Sequence, residues 1–203
     1  MSAVEALPFT PFREAAGREG TPVTPEIQGE AALVRGSIEV HRYLVERGVP
    51  HEFYRLERPL RRIDEAAALL DLDPKIVVSA ELFDVPGGPV LALTSSSDCA
   101  SAAAVAAAIG ATRARAFSKA RTARHTGFLA DWLPPVGHER PSRALVDAPL
   151  HGAEVLYTPG GDPGVMLILR SSDLVRATAA GLARLAGQAE PAETPSAAAP
   201  GLR

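Results

Sequence analysis

Apolar residues fall into short runs divided by Gly, Pro, Ser and Asp, and the spacing within the runs switches between helical and extended periods. Ser37 precedes Ile38–Arg47, a helical pattern that Gly48 ends and Pro50 keeps from resuming. His51–Leu56 alternates as a strand. Ile63–Leu70 has Asp64 and Glu65 in its first turn, where carboxylates suit the helix dipole, and Ala66, Ala67, Leu69 and Leu70 as a packing face. Ile76–Phe83 is a β-type run, Asp84–Pro89 a Pro-Gly-Gly turn and Val90–Thr94 a buried strand. Ser97 or Asp98 is placed to cap a helix over Ala100–Ile109, whose small alanines suit close packing on a sheet. Thr112–Phe117 reads as a strand, Ser118 caps a short helix to His125, and Arg143–Asp147 is a further strand. Glu154–Thr158 and Val165–Leu169 form a hairpin across Pro159–Gly164. Ser171-Ser172-Asp173 caps a last helix, Leu174–Ala186, closed by Gly187. The element order predicts a mixed α/β (α+β) domain over residues 36–187. Residues 1–35, Pro-rich and weakly periodic, read as a loosely ordered arm with a short helix near Glu26–Arg35. Residues 188–203, rich in Ala, Pro and Glu, read as a disordered tail.

Composition narrows this picture. The chain has 203 residues, 46% hydrophobic and 22% charged, which fits one globular domain with tails. A net charge of −3 excludes a global basic field, so any nucleic-acid contact has to come from a local patch. Arg113, Arg115, Lys119, Arg121, Arg124 and His125 form the strongest such cluster, with a solvated helix face as the plain alternative. Arg58, Arg61 and Arg62 form a smaller one. A single cysteine, Cys99, excludes an internal disulfide, reads as a small buried hydrophobe and agrees with a reducing cytoplasm, the expected location. No Cys/His cluster has metal-ligand spacing, no apolar run is long enough to span a membrane, and the N-terminus lacks a secretory pattern.

One stretch fits neither period. Thr126–His138 is too apolar for a free linker and too rich in Gly and Pro for a helix or strand. Pro134 and Pro135 fix φ and remove two donors, and Gly127 and Gly137 permit φ > 0. Such a rigid loop can edge a small-molecule pocket, or simply pack Phe128 and Trp132 on the core. His138 can donate to a phosphate or carbonyl, or make a structural hydrogen bond. Asp147 can orient a substrate amino group or cap the next turn.

The run Thr-Gly-aromatic…Pro-Pro-x-Gly-His resembles the signature loop of the YbaK family of aminoacyl-tRNA editing domains, related to the insertion domain of bacterial prolyl-tRNA synthetase. The resemblance extends from about Ile38 to Ala186: helix–Gly–Val–strand, the Ala-rich helix, the Ile76–Phe83 strand, Thr112–Thr126 and the Leu-Val-Asp at Leu145–Asp147. There are departures. Glu57-Arg58-Pro59 stands where many members have a His, Asp71 and Ser96 stand at usual glycines, and Asp131 or Trp132 occupies the place of a second loop glycine. Val78 stands at the Lys most associated with activity, with Ser79 at the adjacent hydroxyl. Lys75, three residues earlier, points to the opposite face of a regular strand.

The resemblance implies a curved mixed sheet with packed helices, and hydrolysis in trans of the ester joining a small amino acid such as Ala, Ser or Cys to the 3′ end of mischarged tRNA. It implies no cofactor and no metal. Its partners are tRNA and an aminoacyl-tRNA synthetase, with neither membrane nor DNA. An activated ester needs only a positioned water and an oxyanion donor. Matching assigns Ser79, Gly127, Pro135 and Gly160 to the reaction, and Val78, Ser96, Asp131, Trp132, His138 and Asp147 to substrate binding. Arg113, Arg115, Lys119, Arg121 and Arg124 are assigned to tRNA. Without the family Lys, either another cation (Lys119, Arg121 or Arg124) reaches the site or activity is reduced. The rival readings are a module that binds a tRNA end without turnover and a protein-interaction scaffold.

Overall fold

The computed structural model describes residues 35–57, 60 and 62–187. The predicted arm, apart from Arg35, and the predicted tail, as well as Arg58 and Arg61, lie outside the described residues. In chain order the elements are α1 (Ser37–Glu46), β1 (Glu52–Arg55), α2 (Asp64–Leu69), β2 (Val78–Asp84), β3 (Val90–Ser95), β4 (Cys99–Ala100), α3 (Ala102–Ala108), β5 (Arg115–Ala116), α4 (Lys119–Thr126), β6 (Arg143–Asp147), β7 (Val155–Pro159), β8 (Val165–Arg170), α5 (Ser171–Thr178), β9 (Gly181–Ala183) and β10 (Ala186–Gly187). The fold is mixed α+β. Its strands are divided among a five-stranded mixed sheet (β5-β2-β3-β6-β9), a three-stranded antiparallel sheet (β1-β8-β7) and a two-stranded ribbon (β10-β4). A parallel bridge from Val77 to Tyr157 joins the first two sheets.

Local chemistry explains most element ends. Ser118 Oγ accepts from the Arg121 N–H and starts α4, and Gly127 ends it in the left-handed conformation at φ 80°. At α1 the Glu39 carboxylate accepts from the Gly36 N–H, so Gly36 is the cap. Ser37 instead donates its hydroxyl to Asp162 at 2.6 Å. α3 begins at Ser101 rather than Ser97 or Asp98. Ser95–Asp98 close a turn on themselves, and Cys99 and Ala100 are taken up by pairing with β10.

The predicted helix Leu174–Ala186 is shorter and starts earlier: α5 runs Ser171–Thr178, with Ser171–Asp173 in its first turn rather than before it. α5 stops at Ala179, whose φ is 49°, and the chain turns extended. β9 then pairs in parallel with β6, and Leu185 is fully buried beside Phe83 and Val105. Helix propensity here is weaker than two strand pairings and a buried leucine. Likewise β5 keeps only two of the residues Thr112–Phe117, those opposite Phe83 and Asp84.

β2 alternates. Val78 and Leu82 pack into the main core with Leu93, Val146 and Leu167, while Ser79 and Glu81 face the other way. β3 pairs along one edge of β2, but β5 covers the other edge only at its end, so the outer edge from Ser79 to Leu82 has no strand partner. A second core cluster gathers Trp132, Leu60, Ile63, Ala66 and Met166 beside this edge. Among the described residues no helix is long and apolar enough to cross a membrane.

Val78 is fully buried. Val78→Lys therefore places an unpaired ammonium in the core and is expected to lower stability by about 3–5 kcal/mol, measured as a fall in the urea midpoint. An unchanged midpoint would mean that the lysine escapes to the groove face.

Candidate functional site

The uncovered edge of β2 lies opposite Ala130–Leu133 of the irregular loop, and a groove runs between them. One hollow of about 170 Å³ is lined by Ser79, Glu81, Ser96, Asp98, Asp131 and Pro159, among others. An adjoining hollow of about 130 Å³ adds Phe117, Lys119 and Thr122. Both share Ala80, Glu81, Ala130, Asp131 and Leu133, so they form two compartments of one groove.

The loop is held in place by its own polar groups. Thr126 Oγ1 donates to the Thr122 carbonyl and accepts from the Phe128 N–H, while the Thr126 carbonyl accepts from the Glu139 N–H. The Gly127 carbonyl accepts from the Arg35 N–H at 2.8 Å. Trp132 Nε1 donates to the Leu60 carbonyl at 3.2 Å, which ties the loop to the second core cluster. His138 Nε2–H donates to the Pro134 carbonyl at 2.7 Å, and burial pushes its pKa down to about 4.

The groove floor is main chain as well as side chain. The Leu82 carbonyl accepts from the Phe117 N–H on the outer edge of β2. Main-chain groups of a strand alternate sides, so those of Ala80 also face this edge, where no described residue bonds them. Ser79 Oγ lies 3.4 Å from Thr94 Oγ1, and Ser96 Oγ donates to the Pro74 carbonyl at 3.3 Å. Lys119 Nζ sits 2.7 Å from Asp131 at the groove lip. Glu81 has no ion-pair partner among the described residues. It keeps solvent access, yet desolvation by the groove raises its pKa, with the Ala100 N–H acting in the lowering direction.

The structure thus brings Ser79, Ser96, Asp131 and Lys119 together. It places the other matched residues elsewhere. Val78 is in the main core, and Trp132 and Pro135 are buried behind the groove. Gly127 is the cap of α4. Gly160 is packed so tightly that a Cβ would lie 2.9 Å from the Val165 carbonyl and 3.2 Å from Phe53. Asp147 is buried and accepts from the Leu185 N–H at 2.7 Å, which fastens the segment after α5. Arg121 makes a two-pronged pair with Asp84 at 3.0 and 3.1 Å and lies over the Phe117 ring. That pair holds the Asp84 carboxyl below the usual range. Arg113, Arg115 and Arg124 are exposed. Cys99, expected to be buried, is exposed and lines the larger hollow.

Glu81 and Ala80 were not singled out by pattern. A charged residue inside the apolar run Ile76–Phe83, in phase with Ser79, is the cue that marks Glu81. Among the described residues no three His, Cys, Asp or Glu side chains are grouped to hold a metal.

The sequence profile of the aminoacyl-tRNA editing domain matches residues 57–177, more than half of the chain. Three solved structures are similar. A scaffold protein used in computational grafting of linear epitopes is 27% identical, with TM-score 0.68 over 75% of this chain and 97% of its own. A candidate trans-editing enzyme for prolyl-tRNA synthetase is 25% identical, with TM-score 0.69 and the same coverages. A hypothetical protein at 22% identity and TM-score 0.69, covering 73% of this chain and 99% of that one, shares the fold.

Two measurements separate structural from chemical roles. The folded chain keeps His138 neutral where the unfolded chain takes up a proton. Its contribution is therefore expected to be lost as pH falls from about 6.5 towards about 4, by up to roughly 3 kcal/mol. Urea midpoints of wild type and His138→Gln across that range check this, and parallel pH slopes would contradict it. Gly160→Ala is expected to cost about 1–3 kcal/mol through overpacking. A variant of wild-type stability that had lost activity would return Gly160 to the reaction.

Proposed function

The chain belongs to the aminoacyl-tRNA editing domain family, and on that footing we propose that it hydrolyses, in trans, the ester between a small amino acid such as Ala, Ser or Cys and the 3′ end of tRNA. The observation that carries the reading is the groove beside the uncovered edge of β2. Its larger compartment is of a size for a small aminoacyl group and is lined with hydroxyls and main-chain groups rather than a nucleophile–base pair. The similarity to a candidate trans-editing enzyme for prolyl-tRNA synthetase supports action apart from a synthetase, with charged tRNA as substrate and a synthetase as a natural partner.

The chemistry asks little of the side chains. Water adds to the ester carbonyl, the carbonyl oxygen gains charge, and the ribose oxygen leaves with a proton that came from the water. The Ala80 N–H on the open edge is placed to accept the developing charge as a hydrogen-bond donor. Lys119 supplies the cation that Val78 cannot. It stands at the groove lip, held by Asp131, and can meet the terminal phosphate or the oxyanion. The exposed Arg113, Arg115 and Arg124 extend that positive side along the path of the tRNA backbone. Binding without turnover is the second reading, favoured by the burial of Val78 in the core, which leaves the family's Lys position without a cation.

Single-turnover deacylation of Ala-, Ser- and Cys-charged tRNA tests the proposal. Release well above buffer is expected for at least one, and Lys119→Ala is expected to reduce it about 10²-fold. Salt-dependent tRNA binding with no release would leave the binding reading in its place.

A further inference from the structure

Glu81 is a carboxylate in a groove where the family reading looks for a cation. Its strand neighbours Ala80 and Leu82 line the same groove, and it borders both compartments. The other acid common to both, Asp131, is already neutralised by Lys119 at 2.7 Å. Glu81 has no such counter-ion among the described residues, and withdrawal of water from it raises its pKa. A carboxylate in this position favours a cationic ligand, since a charge-assisted hydrogen bond would replace the hydration it has lost. Phosphate and ribose are not cationic. The one cation on an aminoacyl ester is its α-ammonium, two bonds from the carbonyl that is attacked.

We infer that Glu81 binds the α-ammonium of the aminoacyl group in the groove and so makes the chain selective for esters with a free amino group over N-blocked ones. The inference rests on the proposed reading of the groove as the aminoacyl site. The geometry is consistent: Glu81 is two residues from Ser79 on the same face of β2, and beside Ala80, whose N–H faces the open edge. An ammonium held by Glu81 would place the neighbouring carbonyl against that edge. Free-amine substrates are those left by mischarging, whereas an N-acylated aminoacyl-tRNA has lost its charge and would meet an uncompensated acid.

The test pairs two probes with two proteins. Wild type and Glu81→Gln, an isosteric change at a site with solvent access, are assayed on Ala-tRNA and N-acetyl-Ala-tRNA. By calorimetry they are also assayed on the non-hydrolysable 3′-alanylamido-3′-deoxyadenosine and its N-acetyl form. Wild type is expected to prefer the free amine by about 10–100-fold in rate and affinity, and Glu81→Gln to lose that preference with little change towards the acetylated forms. A merely structural Glu81 would lower both substrates together, as would a general base, and either result overturns the inference. Equal binding of the free and acetylated analogues by wild type, or failure to bind either, overturns it as well. Analogue discrimination without any deacylation would uphold Glu81 while removing the hydrolase reading.

Discussion

A buried loop without helix or strand must satisfy its main chain by other means, and Thr126–His138 is built around that requirement. Thr126 does most of it, bonding through Oγ1 to both Thr122 and Phe128 and through its carbonyl to Glu139. Pro134 and Pro135 remove donors that would otherwise need partners, and His138 serves the Pro134 carbonyl. The loop then becomes a surface on which other elements meet. The backbone of α1 at Val40 comes within 3.3 Å of where a Cβ on Gly137 would sit, and the Phe128 ring lies against Gly161 in the β7–β8 turn. At both places a larger residue would push two elements apart. Ser37 and Asp162 close the same junction from the other side.

With the loop fixed, its segment Ala130–Leu133 is held opposite the open edge of β2. An uncovered edge is ordinarily a hazard, since it offers unpaired groups to any passing strand. Here the loop stands over the edge without pairing with it. The gap between them holds hollows of about 130 and 170 Å³, room for a small group. The groove therefore follows from incomplete pairing of β2: in the β2–β5 register the residues opposite Ser79–Leu82 are Phe117–Ala120, and there the chain leaves the sheet, because Ser118 caps α4. The short β5 and the rigid loop are two parts of one arrangement.

What the sequence displayed was mostly local. The Ser118 cap, the β7–β8 hairpin and β6 were legible because the residues that set them lie within a few positions. The end of α5 was not legible, because Ala179 and Leu185 are positioned by contacts with β6 and the third core cluster far away in the chain. The loop was legible as a rigid unit with Asp131 at its edge, but Ala130 and Leu133 were not singled out as lining the groove. Gly127, Pro135 and Trp132 shape the loop from behind, while Ala130, Asp131 and Leu133 face the opening. A motif records what a backbone needs as readily as what a substrate touches, and spacing does not tell the two apart.

The alternation of β2 settles how charge can be delivered to the groove. Val78, Ala80 and Leu82 share one phase, Ser79 and Glu81 the other, and Val78 is committed to the core by Leu93, Val146 and Leu167. A cation on this strand at position 78 would have to leave that packing, so positive charge has to come from another element. α4 provides it through Lys119 at the lip. Its pair with Asp131 is exposed and worth little to stability. That pairing is therefore better understood as positional: it holds an ammonium at the smaller compartment, while Glu81 keeps a carboxylate common to both.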